Sequence, residues 1–417
     1  MSQAFRRFPL LPRIDKINHF IYGPIMHLPT PAIRTLVVLL SASFGSFSAM
    51  AQGVKVDPLT LYPTASLSYG KNDNVLLTNT PRTSSNTTVF AAGLRAELES
   101  GKSKYGVGYD GTFGRYESST VDNYDYHTLS AFADMDLSTR ARLKLGADHS
   151  VKSDPRGSLP TAVTPSPNKY RISGINGLFS YGAPGAQGRV ELESAFTVKR
   201  YENNRVTTAL LDVDTQKVGA TLFWRVAPKT ELLLQATGLR SNYTFTGSTL
   251  DNTTYVVVAG VKWEATALTE GTFKIGMTKK DMMHPGKKDT LSGAWEAGVI
   301  WKPLTYSIVN LTTGRALNDP LAGGNAIENS YYNAKWTHEW TDRITSTVAG
   351  SYATDQFRGT VPVERSDKTS SLGLGLAYAM QRWLTFGADY TYSMRDSNLT
   401  NFNYRKNLMM FTAKVAL

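Results

Sequence analysis

Charged and other polar side chains alternate with apolar ones in many segments of this chain, and residue types with catalytic or metal-binding chemistry are few. The sequence has no cysteine, and no His-x-x-x-His pair or Asp/Gly-rich calcium loop is present, so we expect neither a metal site nor a cofactor. His338 has the same parity as Trp336 and Trp340, which predicts a place among interfacial aromatic residues rather than a catalytic one. We therefore do not expect an enzyme.

The alternating charges predict a water-filled interior. In the run 190–199, one set of alternating positions holds the apolar residues Val190, Leu192, Phe196 and Val198, and the other holds the polar or charged residues Glu191, Glu193, Thr197 and Lys199. Period-two alternation sends the two sets to opposite faces of a strand. A charged inner face suits an aqueous lumen and not a packed core. The charges could set selectivity for a passing solute, or they could only satisfy one another along a solvated wall. The predicted lumen-lining residues are Asp110, Arg142, Lys144, Glu191, Glu193, Lys199, Arg225, Lys274, Lys335, Arg343, Asp389 and Lys414.

The apolar faces carry tryptophan and tyrosine near the ends of the predicted strands. The stretch from Thr290 to Arg315 shows this pattern most clearly, as an alternating run, a turn predicted at Lys302-Pro303, and a second alternating run. Trp and Tyr collect at membrane–water interfaces, and transmembrane barrels carry them as girdles. The predicted girdle comprises Trp224, Trp263, Trp295, Trp301, Tyr306, Trp336, Trp340 and Trp383.

The same hairpin pattern repeats from residue 61 to the end of the chain. It predicts about eighteen strands of roughly 10–14 residues, whereas a tilted membrane-spanning strand needs roughly 9–11. Short connections such as Ser138-Thr139-Arg140 alternate with long ones such as Ser153–Asn168. The predicted fold is therefore an all-β, antiparallel, up-and-down transmembrane β-barrel with short periplasmic turns and long extracellular loops, in the outer membrane of a Gram-negative bacterium.

The N-terminal region predicts export. An apolar run over Thr35–Met50 follows Arg34 and ends at Ala49-Met50-Ala51, which is typical of a secretory signal peptide. We assign residues 1–51 to a signal peptide with a long basic n-region, with Met26 as an alternative start. Residues 52–60 would form a short periplasmic segment, and residues 61–417 the barrel.

The last strand predicts contact with the barrel-assembly machinery. Phe411, Val415 and Leu417 share one apolar face that ends at the terminal carboxylate, as is typical of outer-membrane barrels, although most of those end in Phe or Tyr.

Composition excludes two other classes. The mean hydropathy of −0.26 is too low for a helical membrane protein. The net charge is +11, and residues 1–51 contribute five basic and one acidic residue, which leaves 11 − (5 − 1) = +7 for the mature chain. The basic residues form no clustered patch, so we do not expect nucleic acid as a partner.

Three stretches resemble a known family. They are the run from Trp295-Glu296-Ala297-Gly298-Val299 through Trp301-Lys302-Pro303 to Thr305-Tyr306-Ser307, the loop segment Asp154-Pro155-Arg156-Gly157, and Tyr181-Gly182-Ala183 with Gly185-Ala186-Gln187-Gly188-Arg189. The mature chain resembles the outer-membrane β-barrels encoded in exopolysaccharide biosynthesis operons (the EpsL type), which belong to the second β-barrel porin family. The resemblance implies passive export of an exopolysaccharide chain, with outer-membrane lipid and periplasmic or inner-membrane export components as partners.

Two alternatives stay open at this point. A general or small-solute diffusion porin would have a constriction loop folded into the lumen, and the proline-rich loop Ser153–Asn168 is the best candidate for it. A non-conducting barrel that scaffolds the export complex would have a plugged lumen.

Overall fold

Long antiparallel strands make up almost the whole structure. The computed structural model describes residues 53–158, 164–183, 185–266, 268–320, 324–360 and 363–417. The strands are β1 Val54–Val56, β2 Leu59–Asn72, β3 Ser85–Ser100, β4 Ser103–Tyr116, β5 Tyr124–Asp136, β6 Ala141–Asp154, β7 Asn168–Tyr181, β8 Gly188–Tyr201, β9 Val213–Ala227, β10 Thr230–Tyr243, β11 Asn252–Thr266, β12 Thr269–Met282, β13 Thr290–Leu304, β14 Ser307–Asn318, β15 Ala326–Glu339, β16 Ile344–Arg358, β17 Ser366–Gln381, β18 Leu384–Ser397 and β19 Tyr404–Ala416.

The strands close into a barrel. Each strand from β2 to β18 pairs with the next one in antiparallel register, and β19 pairs back onto β2 from Leu408 opposite Asn72 to Ala416 opposite Thr64. Among the described residues, the short strand β1 has its register with the first residues of β2 and lies outside the ring. Of the nineteen strands in the sheet, eighteen therefore form the closed ring, which confirms the predicted fold and strand number.

The connections differ at the two ends of the barrel. At one end the strands are joined by tight turns, such as residues 228–229 between β9 and β10. At the other end the loops are longer and hold the short helix α1, Arg205–Thr208, and three 3-10 turns at Thr120–Asp122, Ala209–Leu211 and Thr400–Phe402. No helix in the described ranges is long and apolar enough to cross a membrane. We call the two ends the turn end and the loop end; in bacterial outer-membrane barrels they face the periplasm and the exterior, respectively.

Alternation along each strand separates two faces. In β12, Phe273, Ile275 and Met277 point outward and are exposed, and Lys274 and Thr278 point inward. The same outward band of large apolar side chains runs around the ring, and only lipid can cover a surface of that extent.

Two boundaries differ from the predictions. The turn predicted at Lys302-Pro303 is wrong: β13 continues to Leu304, and Thr305 and Tyr306 form the turn. The register shifts between Trp301 and Leu304, so a bulge accommodates Pro303, which has no N–H for the ladder. At the N-terminus, β2 begins at Leu59 rather than at residue 61, and the predicted signal peptide lies outside the described residues.

Candidate functional site

The inner face of the barrel carries the predicted lumen charges. Strand register places every one of the predicted lumen-lining residues on that face except Arg343. The prediction for Arg343 is wrong, because this residue lies exposed in the turn before β16, where no strand alternation directs it inward.

In the turn half and at mid-height of the barrel, these charges form partly exposed pairs. Asp110 is itself exposed on the inner face. Ion pairs whose two partners are both partly exposed indicate a water-filled lumen whose wall carries both signs of charge. The pairs, with their N–O distances, are Lys144–Asp134 at 3.0 Å, Arg142–Asp136 at 3.3 Å, Lys217–Glu193 at 2.8 Å, Arg225–Glu231 at 3.2 Å and Lys274–Glu296 at 3.3 Å, and Glu191 pairs with Arg189.

The predicted girdle residues point outward, most of them near the turn end. Trp224, Trp301, Trp340 and Trp383 are exposed there, and Trp263 pairs with Thr230 beside a short turn. His338 lies among Tyr306, Trp336 and Trp340, with ring centroids 5.4, 5.4 and 4.4 Å away. Trp295 lies farther toward the loop end and contacts Arg315, whose guanidinium carbon is 5.0 Å from its ring centroid. Phe411 and Leu417 are exposed on the same outer face, and Val415 shares their parity.

The loop end of the β14–β15 hairpin leans into the lumen. Along β15, residues Ala326–Ser330 are all buried, whereas Tyr332 on the outer face is exposed. Glu328 has outward parity, yet its carboxylate accepts a hydrogen bond of 3.0 Å from Ser292, which lies on the inner face of β13. The outer face of the hairpin therefore packs against the inner face of the neighbouring wall.

Asp319, directly after β14, fixes the hairpin to the inner face of the same wall, at β10, β11 and β12. It accepts hydrogen bonds from Tyr243 of β10 at 3.1 Å and Asn252 of β11 at 3.1 Å, and it pairs with Lys280 of β12. Burial opposes ionisation of this carboxyl, but the charge of Lys280 and the hydrogen bonds outweigh burial and hold the pKa of Asp319 below its ordinary value.

A second segment enters the lumen from the loop between β6 and β7. Arg156 forms a bidentate pair with Asp122 in the loop after β4, with N–O distances of 2.8 and 2.5 Å. The carbonyl of Gly157 accepts a 3.2 Å hydrogen bond from Arg395 of β18, six strands away around the ring. These contacts place residues 155–158 across the barrel mouth, as the predicted constriction loop would be. Residues 159–163 of that loop lie outside the described ranges.

An apolar cluster joins the two sides of the mouth. Tyr170 of β7, Tyr201 of β8 and Leu211 pack in one buried group with Ile327 of β15 and Phe357 of β16. These strand pairs lie nearly opposite each other in the closed ring, so the cluster spans the lumen. We call residues 316–320 and 324–328 of the hairpin, residues 155–158 and this cluster the constriction.

Lys199, predicted as a lumen residue, is buried within the constriction. Its ammonium lies 4.1 Å from the ring centroid of Tyr170 and donates a 2.8 Å hydrogen bond to the hydroxyl of Tyr201. That hydroxyl donates in turn to Asp154 at 2.8 Å. Lys199 thus differs from the turn-end charges, because aromatic rings rather than water surround it.

Sequence reasoning missed the residues that shape the constriction most, among them Lys280, Asp319 and Ile327. One signal was present: Asp154-Pro155-Arg156-Gly157, which carries part of the family resemblance, supplies Asp154, Arg156 and Gly157 to these contacts. No group of three or more potential metal ligands occurs among the described residues.

A closed ring of eighteen strands, an apolar outer band with aromatic residues near its ends, and a polar lumen define an outer-membrane β-barrel. The chain belongs to the family described as "Putative beta-barrel porin 2", whose model matches residues 49–417. Its location is accordingly the outer membrane of a Gram-negative bacterium. A search of curated proteins found no match.

The chain is also similar to solved barrels at low sequence identity. OpdO of Pseudomonas aeruginosa is 12% identical over 87% of this chain and 98% of its own, with a TM-score of 0.49. OccAB2 of Acinetobacter baumannii is 12% identical over 88% and 99%, with a TM-score of 0.47. The FrpB iron transporter of Neisseria meningitidis is 10% identical over 88% and 82%, with a TM-score of 0.47. The closed barrel is established by the strand pairing of this chain and not by these alignments.

Proposed function

We propose that this protein is a diffusion channel for small polar solutes, and that the constriction limits the size of what passes. The observation that carries the proposal is the contrast along the lumen: hydrated charge pairs line the turn half, and two inward segments with an apolar cluster narrow the loop half. A wall with both signs of charge offers weak, distributed contacts, which let a polar solute enter and leave.

Single-channel conductance of the refolded mature protein in a planar bilayer tests this function. We expect a small conductance, and liposomes that contain the protein should swell in small sugars but not in larger ones. A variant with residues 319–325 replaced by a two-residue turn should conduct more and admit larger sugars. Heat-modifiable migration in gels checks that both proteins are folded. If the shortened variant conducts no better than the parent, the constriction does not limit flow.

Secretion of an exopolysaccharide, which the family resemblance implies, is the second candidate. A row of inner-face tyrosines favours it: the ring of Tyr124 stacks on that of Tyr126 with centroids 4.3 Å apart, and Tyr116 lies 6.4 Å from Tyr124. Such flat aromatic faces provide apolar surface for sugar rings. Export would also require partners in the periplasm and inner membrane.

The same bilayer measurement separates the candidates. Block by the host's own polysaccharide fragments, weakened in Tyr124→Ala, would support export. A channel indifferent to the fragments would support small-solute diffusion. A folded barrel without conductance would support a non-conducting scaffold and would contradict both channel functions.

A further inference from the structure

The ladder between β13 and β14 stops before either strand ends. Its last pair toward the loop end is Trp295 opposite Arg315. Beyond that point β13 continues to Thr290, paired only with β12, and β14 continues to Asn318, paired only with β15. On its β14 side, the segment Thr290–Ala294 therefore has no ladder partner among the described residues. An unpaired strand edge is a template for another strand.

We propose that the loop ends of β14 and β15, residues 316–318 and 326–328, form a gate with two positions. In the inward position seen here, it narrows the lumen; in the outward position, β14 continues its ladder along Thr290–Ala294. Extending the present register would pair Ala294 with Ala316, Gly293 with Leu317 and Ser292 with Asn318. This gate rests on the proposed channel function, since it regulates the constriction of that channel.

Each position satisfies groups that the other leaves unpaired. Inward, Asp319 binds Lys280 and Glu328 accepts a hydrogen bond from Ser292, but the β14 side of Thr290–Ala294 has no ladder partner among the described residues. Outward, the backbone of that edge would gain its ladder hydrogen bonds, and Leu317 would face lipid beside the exposed Leu291. Two arrangements that exchange one set of polar contacts for another form the kind of bistable element on which switches depend.

Gly314 provides a pivot next to the point where the ladder ends. A β-carbon at this position would lie 2.7 Å from the hydroxyl and 2.8 Å from the ring of Tyr331, so the ring can lie close over the backbone only because glycine has no side chain. Glycine inside a strand commonly marks a bend or a close approach of this kind.

The absence of native cysteine makes cross-linking a direct test. The pair Gly293→Cys/Leu317→Cys should form a disulfide only when the hairpin moves outward. The pair Ser292→Cys/Glu328→Cys, joined by a short reducible bis-methanethiosulfonate reagent, should hold it inward. As the matched control, Val299→Cys/Leu311→Cys lies in the permanent part of the same ladder and should cross-link without a change in conductance.

We expect the outward disulfide to raise single-channel conductance several-fold, the inward cross-link to lower it, and reductant to reverse both. The gate is overturned if the control pair oxidises but Gly293→Cys/Leu317→Cys does not, or if that disulfide leaves conductance unchanged. If the protein conducts and neither cross-link changes its conductance, the gate alone is overturned. A folded protein that conducts in none of these states overturns the proposed channel function together with its gate.

Discussion

Both halves of the lumen contain ion pairs of lysine and aspartate, but the pairs have different roles in the two halves. Near the turn end, Lys144 and Asp134 pair at 3.0 Å with side chains 35% and 42% exposed. At the loop end, Lys280 and Asp319 form a corresponding pair with side chains 1% and 11% exposed. Lys144, Asp134 and Lys280 lie on the inner faces of their strands, and Asp319 directly follows β14. The two pairs differ in how far the surrounding protein buries them.

The difference shows that burial, and not residue type, decides what a lumen charge does. An exposed ion pair contributes about 0–1 kcal/mol, because water solvates each charge nearly as well as the partner does. Removing one member of a buried pair costs about 3–5 kcal/mol, because the other charge stays buried without compensation. Turn-end charges thus stay exposed to the water and solutes of the lumen, and loop-end charges hold the constriction in shape.

The largest expected effect comes from Asp319→Asn. This change leaves Lys280 buried without its anionic partner, so we expect the free energy of unfolding to fall by about 3–5 kcal/mol. Urea unfolding of the protein in lipid vesicles, followed by tryptophan fluorescence, measures it.

Asp134→Asn is the matched control for that change, because it removes the same charge from an exposed pair. Its expected cost is about 0–1 kcal/mol. Equal losses in the two variants would contradict the distinction between the two halves of the lumen.

Gly157→Ala should have a smaller but specific effect on the constriction. Gly157 has a φ of +74°, and an added β-carbon would lie 2.1 Å from the carbonyl oxygen of Leu76. The left-handed conformation alone costs a non-glycine residue about 1–2 kcal/mol. The clash should also move residues 155–158 away from Arg395 and raise conductance.

Gly101→Ala separates the cost of the left-handed backbone conformation from the effect of the clash with Leu76. Gly101 has a φ of +61°, but nothing lies within 4 Å of an added β-carbon in its turn-end position. We expect a similar loss of stability with unchanged conductance. An equal rise in conductance in both variants would show that the contact of Gly157 with Leu76 does not shape the channel.

The barrel could be predicted from the sequence because the face to which each side chain points depends on its position within its own strand. Alternation along each strand fixes which side chains meet lipid and which meet water, and the environment of Phe273 or Lys274 follows from parity alone. Repetition of hairpins then predicts the strand number.

The constriction could not be predicted in the same way, because its contacts join distant segments. Leu317 and Glu328 have the parity of lipid-facing residues, but the hairpin leans inward and buries both. In the sequence, Asp319 is one polar residue of a loop. Only the fold shows that Tyr243, Asn252 and Lys280 contact it. The loop prediction at Ser153–Asn168 found one inward segment and missed the hairpin, since proline content and length mark a loop but do not reveal a bent strand pair.

Acid should weaken the inward position of the hairpin. Because the pKa of Asp319 is held below its ordinary value, the inward position is stabilised while the carboxylate is ionised, and this stabilisation is lost as the pH falls through the lowered pKa. We expect conductance to rise only below about pH 4, the ordinary range of an aspartate. Bilayer recordings between neutral and acid pH measure this, and Asp319→Asn should remove the step. A rise centred near neutral pH would assign the effect to another group.

The smallest effect is expected for Lys144→Gln at the turn end. Asp134 loses its partner but remains hydrated, so the free energy of unfolding should change by no more than about 1 kcal/mol. The lumen wall becomes more negative at that point, and the reversal potential in a salt gradient should shift slightly toward cation preference while the size limit for sugars stays constant. Lys102→Gln, in an exposed turn between β3 and β4, removes the same charge from outside the lumen. An equal shift in that variant would show that overall charge, and not the charge lining the wall, sets the selectivity.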